Sequence, residues 1–234
     1  LSIFLLLLCI AFGCSDHKLE DSTTFGFGQE VPKLGITEMP SLPAQANDKP
    51  SLGFAGMVGG VHNGAILAAG GANFPNGLPW QGGKKVYSDK IYVLDGNQWK
   101  LSDQSLTSPL AYGASVSIPQ GALVIGGENE NSTSDRVFLL KYSPSNKEIA
   151  IVDYPSLPEP LSFTAAVVEG NYVYVIGGKN SEKSVNSFYR MPLEGEKIWE
   201  KLADFLGPPR AVHCIAVQET KDSRKLFVIG GRNQ

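Results

Sequence analysis

Charged, aromatic and amide side chains follow several glycine pairs in this sequence, in stretches that are long enough to form loops. A carboxylate among them can accept and donate protons, and a cationic side chain can bind an anionic group of a ligand. Long loops in compact domains are often functional, so we predict that these residues line a small-molecule pocket. The predicted pocket residues are Asn73, Trp80, Lys84, Lys85, Tyr87, Glu128, Arg210, Arg232 and Asn233.

Other kinds of site find little support in the residue pattern. The three histidines, His17, His62 and His213, lack the spacing of metal ligands, which argues against a copper oxidase. The absence of a Gly-x-Ser-x-Gly motif argues against a serine hydrolase of that type. The formal net charge is −3 and the pI is about 5.7, so a nucleic-acid partner is not expected. We predict no metal and no cofactor.

A repeat organises the chain and must position these residues. A short apolar run ends in Gly-Gly four times, with the second glycine at Gly71, Gly127, Gly178 and Gly231, and the spacings are 56, 51 and 53 residues. A period of this length is typical of repeat architectures such as propellers. The glycine pairs suit sharp backbone turns at strand ends, where a positive φ angle is needed.

Each repeat unit predicts four short strands separated by Gly, Pro and Asn turns, with no amphipathic helical stretch. A small-residue strand precedes each Gly-Gly strand, and a third and a fourth strand follow. Four strands per unit predict an all-β protein of the β-propeller class. First strands are expected at 53–58, 112–116, 163–168 and 211–217, third strands at 90–94, 136–140 and 187–191, and fourth strands from near Trp99, Ile149 and Trp199.

The repeat also predicts the domain boundaries. Residues 33–43 are similar to the fourth-strand segment of later units, which predicts a lone outer strand that helps to close the ring. In this interpretation residues 33–234 form a partial propeller of about four units, the N-terminal part of a larger ring. The predicted units are 52–109, 110–160, 161–209 and 210–234.

The first residues predict an export signal. Residues 1–13, LSIFLLLLCIAFG, form an apolar run that is shorter than the roughly 20 residues of a membrane-spanning helix. Gly13 and Cys14 resemble a bacterial lipobox, which predicts a lipid on Cys14 and a tether over 14–32; an ordinary signal with an incidental cysteine is the alternative. We therefore expect an exported lipoprotein of a Gram-negative bacterium, in the periplasm or outer membrane, whose only membrane contact is this anchor.

The third cysteine of the chain, Cys214, lies in the apolar run 211–217. Since a free cysteine in a strand commonly behaves as a small hydrophobic residue, Cys214 is predicted to be buried.

One stretch is more specific than the repeat itself. Residues 53–127 contain GFAGMV, then AGGANFPNGLPWQGGKKVYSDKIYVL, then AYGASVSIPQGALVIGGE. This stretch resembles the N-acetylneuraminate epimerases, or sialic acid mutarotases, which are six-bladed kelch propellers. Because the stretch comes first here, the chain is similar to the subgroup described as cyclically permuted. The resemblance covers 33–142 most strongly, and 160–234 is similar to kelch repeats in general.

The resemblance implies an isomerase that interconverts the α and β anomers of N-acetylneuraminic acid, a small sugar acid, without a cofactor. In that family the proposed catalytic pair is a Glu followed six residues later by an Arg, after the glycine-ended strand of one particular blade. By repeat order this blade lies beyond Gln234, so the catalytic residues stay unassigned and the isolated chain is expected to be inactive. Glu128 has Ser134 six residues later and does not match the pair. The alternative function is a non-catalytic kelch propeller that binds a glycan or a protein at the cell surface.

Overall fold

The structure, a computed structural model, describes residues 35–43, 50–219, 221 and 223–233. The predicted signal, the tether with Cys14, and His17 lie outside the described residues. The described part of the chain consists of β-strands and connecting loops, with one turn of 3-10 helix at Pro79–Gln81. Within these residues, no helix has the length and apolar character needed to cross a membrane.

Sixteen strands are assigned within the described residues. They are β1 (Val58–His62), β2 (Ala65–Ala69), β3 (Ala72–Asn73), β4 (Val86–Tyr87), β5 (Lys90–Asp95), β6 (Gln98–Ser105), β7 (Ala114–Ile118), β8 (Gly121–Ile125), β9 (Val137–Ser143), β10 (Glu148–Tyr154), β11 (Ala165–Glu169), β12 (Tyr172–Ile176), β13 (Phe188–Pro192), β14 (Glu200–Lys201), β15 (Ala211–Glu219) and β16 (Arg224–Arg232).

The strands pair in sequence order, as the repeat predicts. Blade 1 is the antiparallel sheet β1-β2-β5-β6, blade 2 is β7-β8-β9-β10, and blade 3 is β11-β12-β13-β14. In the described residues blade 4 consists of the hairpin β15-β16. Strands β3 and β4 form a small hairpin in residues 72–87, which we call the long loop of blade 1. The predicted all-β propeller fold is confirmed, because the first three Gly-Gly units each form one four-stranded sheet and the described part of the fourth forms a hairpin.

The hydrophobic core lies between the blades. Strand β8 is buried at every position. Its Ala122 and Val124 pack in a cluster with blade 1, whereas Leu123 and Ile125 pack in a second cluster with blade 3. Successive side chains of a strand point to opposite faces of its sheet, so one apolar strand contributes to both clusters.

The inner strand of blade 1 is crowded by its neighbours. A Cβ on Gly59 would lie 1.9 Å from Leu67 O. The N–H groups of Gly59 and Val61 donate to the hydroxyls of Ser115 and Ser117 in blade 2, at 3.1 and 2.8 Å. Strand β1 pairs with β2 on one side, and on its other side the serines of the next blade accept its backbone N–H groups. Because the inner strands approach each other this closely, they contain small residues.

The first strands of blades 1 to 3 begin later than predicted. They are β1, β7 and β11, and not 53–58, 112–116 and 163–168. Gly56, Tyr112 and Phe163 have φ angles of 67°, 59° and 50°, which interrupt the extended backbone just before each strand.

Two further expectations differ from the structure. Residues 35–43, the described part of the predicted outer strand, form no strand. Pro40 and Pro43 in this segment have no backbone N–H to donate to a ladder. Cys214 is exposed rather than buried, because the alternation along β15 turns Ala211 and His213 inward and Cys214 outward.

Candidate functional site

The glycine pairs of blades 1 to 3 each follow an inner strand and bond to the backbone at the start of the next unit. Gly126 and Gly127 have φ angles of 63° and 111°, in the region that favours glycine. Gly126 N donates to Arg136 O in the same blade at 2.9 Å, and Gly127 N donates to Leu161 O at 2.8 Å, at the start of the blade 3 unit. A Cβ on Gly126 would lie 2.2 Å from Leu161 O. The pair therefore has to be glycine for two neighbouring blades to meet.

The residue directly after each pair takes an equivalent position in every unit. Glu128 forms an antiparallel bridge with Ala111, and Lys179 forms one with Ser162. These bridges lie at the same end of neighbouring blades, which brings the residues after the glycine pairs close together. The equivalent positions are Ala72, Glu128, Lys179 and Arg232, opposite Ala55, Ala111, Ser162 and Ala211.

A line of backbone hydrogen bonds crosses the blades beside these positions. Tyr112 N donates to Gly56 O at 2.8 Å, Phe163 N to Tyr112 O at 2.7 Å, and Val212 N to Phe163 O at 3.1 Å. Tyr112, Phe163 and Val212 all have positive φ, which is uncommon for bulky residues and is often found at functional sites. The arrangement stacks the rings of Tyr112 and Phe163, with centroids 4.5 Å apart and planes at 21°.

Five polar residues from three blades meet above this aromatic pair, and we call them the Glu128 cluster: Lys85, Tyr87, Glu128, Ser162 and Lys179. Lys85 Nζ donates to the Tyr87 hydroxyl at 3.1 Å, and that hydroxyl donates to Glu128 Oε1 at 3.1 Å. Ser162 Oγ donates to Glu128 Oε2 at 2.9 Å, and Lys179 Nζ lies 3.9 Å from the same oxygen. One carboxylate thus joins the long loop of blade 1 to blades 2 and 3.

The cluster carries two ammonium groups and one carboxylate. The side chain of Glu128 is 14% exposed, and that of Lys179 is 29% exposed. Burial, followed by the charge of Glu128 and the hydrogen bond to it, raises the pKa of Tyr87 to about 12. Tyr87 is therefore a neutral hydrogen-bond donor at physiological pH, and the excess positive charge of the cluster favours an anionic ligand.

The structure brings together three of the predicted pocket residues, Lys85, Tyr87 and Glu128. Lys85 Nζ also lies 5.0 Å from the Tyr112 ring centroid. The structure thus distinguishes Lys85 from the exposed Lys84.

Two further loop residues, Asn73 and Trp80, were also predicted to line the pocket. Asn73 uses its side-chain amide to donate to Gly53 O at 2.9 Å, so it ties the loop to the start of its own unit. Trp80, in the 3-10 turn, is 79% exposed.

The predicted pocket residues of the fourth unit are Arg210, Arg232 and Asn233. Arg210 donates from Nη1 to Gly230 O at 3.1 Å and from Nε to Pro208 O at 3.3 Å, so it stabilises the backbone of its own unit. Arg232 pairs with Ala211 at the position equivalent to Glu128 and Lys179. Asn233 follows it and is exposed.

Four residues of this region were not among the predicted ones: Tyr112, Ser162, Phe163 and Lys179. For Lys179 the sequence holds a signal, because each of the four glycine pairs of the repeat is followed by one variable residue and then by asparagine. The Oδ1 of Asn129 accepts the N–H of Ser132 at 3.0 Å, and the Oδ1 of Asn180 accepts that of Lys183 at 2.9 Å. The asparagine therefore shapes the loop, and the variable residue before it contributes the side chain at the site. The four motifs are Gly-Gly-Ala-Asn, Gly-Gly-Glu-Asn, Gly-Gly-Lys-Asn and Gly-Gly-Arg-Asn.

A separate cavity lies near the Asn63-Gly64 turn, at the opposite end of β2 from its glycine pair. His62 Nδ1 accepts the N–H of Tyr142 at 2.9 Å, and the amide of Asn63 donates to Tyr142 O at 2.8 Å. These polar groups are used to join blades 1 and 2. Among the described residues no group of three or more His, Cys, Asp or Glu side chains is placed to hold a metal ion. The Glu128 cluster is therefore the candidate site.

Comparison with known proteins relates this chain to one family. The sequence profile of the N-acetylneuraminate epimerases matches residues 23–151, more than half of the chain, and a kelch-motif profile matches residues 160–206. The N-acetylneuraminate epimerase of Vibrio vulnificus (strain YJ016) is 34% identical over 140 residues, which cover 56% of this chain and 35% of that protein. The epimerase of Brucella suis is 36% identical over 115 residues, which cover 45% of this chain and 29% of that protein. The chain thus spans about a third of the length of these relatives.

A solved structure of a protein called YjhT is similar in fold, with a TM-score of 0.62 at 17% sequence identity. The similarity covers 81% of this chain and 61% of that chain. Together with the kelch-motif match, it confirms the kelch-type propeller that the repeat and the resemblance predicted.

Proposed function

This chain belongs to the N-acetylneuraminate epimerase family, and from that premise we propose that the whole protein interconverts the α and β anomers of N-acetylneuraminic acid. The segment that matches the family contains three members of the Glu128 cluster, Lys85, Tyr87 and Glu128. This overlap between the matched segment and the best-formed polar cluster is the observation that carries the proposal.

Anomer exchange requires the sugar ring to open and close. The anomeric hydroxyl loses a proton, the ring oxygen gains one, and the bond between the anomeric carbon and the ring oxygen breaks. Closure on the other face of the carbonyl re-forms that bond and reverses both proton movements. Groups that accept and donate protons accelerate such steps, and a cation binds the substrate's own carboxylate.

The Glu128 cluster offers a carboxylate, two hydroxyls and two ammonium groups, which are connected through Glu128 and Tyr87. We assign it to substrate binding. We leave the catalytic residues unassigned, because Glu128 has Ser134 six residues later and does not match the Glu and Arg pair that the family resemblance implies.

Anomer exchange followed by proton NMR tests the proposal. The whole protein is mixed with N-acetylneuraminate freshly released as the α anomer, with the V. vulnificus epimerase as the positive control. We expect the approach to equilibrium to accelerate in proportion to protein concentration. An exchange rate equal to that in buffer would contradict the proposal.

The same experiment separates the alternative function. A non-catalytic propeller that binds a glycan or protein at the cell surface would show ligand binding in the same spectra without faster anomer exchange.

We also propose that the protein is exported and lipidated at Cys14, on the basis of the apolar run 1–13 that precedes it. Metabolic labelling with a radioactive fatty acid tests this. Label is expected in the wild-type protein and not in the Cys14→Ser variant. An unlabelled wild-type protein would favour the ordinary export signal.

A further inference from the structure

Lys179 is held at the candidate site with its hydrogen-bonding capacity unused. Its ammonium group has three N–H donors, yet among the described residues its contacts are Glu128 Oε2 at 3.9 Å and the Phe163 ring centroid at 5.8 Å. Neither contact is a hydrogen bond. The side chain is 29% exposed, so a ligand can reach it.

Glu128 does not need Lys179 as its main partner. Its Oε1 accepts the hydroxyl of Tyr87 and its Oε2 accepts the hydroxyl of Ser162, at 3.1 and 2.9 Å. An ion pair at 3.9 Å that solvent reaches contributes little to the stability of a protein. Pairing with Glu128 alone therefore does not account for a lysine at this position.

The surroundings of Lys179 suit a molecule that is anionic at one end and partly apolar elsewhere. The stacked rings of Phe163 and Tyr112 provide apolar surface beside the ammonium group. The equivalent backbone position in the next blade is held by Arg232, a second cationic residue type. Small-molecule sites commonly combine such apolar surface with a few polar anchors.

We propose that Lys179 binds the carboxylate of the sugar-acid ligand and thereby selects acids over neutral sugars. This inference rests on the proposed function for the class of ligand. It names a residue that lies outside the segment matching the epimerase family, residues 23–151. The ligand carboxylate takes up the N–H donors of Lys179, and Glu128 keeps the hydrogen bonds from Tyr87 and Ser162.

Direct binding to the whole protein tests the inference without requiring turnover. The probe is the 2,3-unsaturated analogue of N-acetylneuraminate, which lacks the anomeric hydroxyl and cannot mutarotate. Its methyl ester, which has no charge, serves as the matched ligand. Affinities are measured by isothermal titration calorimetry for the wild-type protein and for Lys179→Gln, Lys179→Arg and Lys183→Gln. Lys183 lies in the same loop and is exposed, so Lys183→Gln removes the same charge away from the cluster.

We expect Lys179→Gln to weaken binding of the acid about tenfold or more, the usual loss for a hydrogen bond to a charged group. Binding of the methyl ester should change little. Lys179→Arg should retain most of the affinity, and Lys183→Gln should bind like the wild-type protein. Equal affinity of Lys179→Gln and wild-type protein for the acid would overturn the inference, as would an equal loss for acid and ester.

The outcomes also separate this inference from the proposed function. A wild-type protein that binds no sugar acid and does not accelerate anomer exchange would overturn both. A wild-type protein that exchanges anomers, together with a Lys179→Gln variant of unchanged affinity, would overturn only the role of Lys179. Matching thermal unfolding of all variants shows that a loss of affinity is not a loss of fold. If Lys179→Gln does not fold, Lys179→Arg and the wild-type protein decide the question. A wild-type protein with nearly equal affinities for the acid and for its methyl ester would overturn the inference.

Discussion

The hydroxyl of Tyr87 donates to Glu128 Oε1 at 3.1 Å and fastens the long loop of blade 1 to the first residue after the glycine pair of blade 2. Tyr87 pairs through its backbone with Ala72, at the base of that loop. The exposed Trp80 lies at the other end of the loop. The base of the long loop is therefore joined to the candidate site. The loop supplies Tyr87 and Lys85 to the Glu128 cluster.

Replacing Tyr87 with phenylalanine should destabilise this junction. The variant leaves Glu128 Oε1 without its hydroxyl donor, and losing one such hydrogen bond costs about 1 kcal/mol of unfolding free energy. Denaturant unfolding of the whole protein measures the change. Tyr154→Phe is the control, because among the described residues the Tyr154 hydroxyl makes no hydrogen bond, and a change below about 0.5 kcal/mol is expected. Equal losses in the two variants would contradict the role of Tyr87.

The pKa of Tyr87 predicts a loss of stability in alkaline solution. Burial and Glu128 raise this pKa from 10.0 to about 12 in the folded protein, so the folded state keeps a proton that the unfolded state releases. The stabilisation is complete below pH 10 and is lost as the pH rises toward 12. Tyr189, buried and hydrogen-bonded to Glu159, has a pKa raised to about 12 and behaves in the same way.

Unfolding measured at a series of pH values between 10 and 12 checks this prediction. Stability should fall less steeply in Tyr87→Phe and in Tyr189→Phe than in the wild-type protein, because each variant lacks one of the shifted groups. Identical slopes in the wild-type protein and both variants would show that the phenols do not contribute.

A methyl group on Gly126 should disrupt the junction between blades 2 and 3. Gly126→Ala puts a Cβ 2.2 Å from Leu161 O in a residue with φ 63°. We expect the free energy of unfolding to fall by about 3 kcal/mol or more, because alanine is strained in a left-handed backbone and its methyl group clashes with Leu161. Gly170→Ala is the matched control, because Gly170 has a similar φ of 57° and an added Cβ there would have no atom within 4 Å. It should lose only about 1–2 kcal/mol. Equal losses in urea unfolding would mean that the contact between blades is unimportant.

The two adjacent lysines of the long loop should differ in their effect on ligand binding. Lys85 contacts Tyr87 and Tyr112, whereas Lys84 is exposed. Lys85→Gln is expected to weaken binding of N-acetylneuraminate several-fold, since it removes a positive charge from the cluster. Lys84→Gln should bind like the wild-type protein, as a solvated charge does. Equal affinities of the two variants, measured by calorimetry, would show that Lys85 too is only a solvated surface residue.

The repeat made the fold predictable. Gly71, Gly127, Gly178 and Gly231 mark the strand ends, and the apolar runs before them correspond to β2, β8, β12 and β16. Backbone geometry at the starts of the units was less predictable, because Tyr112 and Phe163 adopt positive φ angles despite their bulk. The hydrogen bonds that hold them there come from neighbouring blades, and such contacts leave no local signal in a sequence.

The sequence by itself predicted the strand content and the repeat, which follow from local spacing, and it indicated the family through the resemblance of residues 53–127. It also placed Lys85, Tyr87 and Glu128 among nine candidate pocket residues. Only the tertiary structure decided that Ser162 and Lys179 join them. Ser162 is 34 residues from Glu128 in the chain, yet its hydroxyl bonds to that carboxylate. The two residues meet because Gly127, the second glycine of its pair, bonds to Leu161 at the start of the next blade's unit, and this contact exists only when the blades pack side by side.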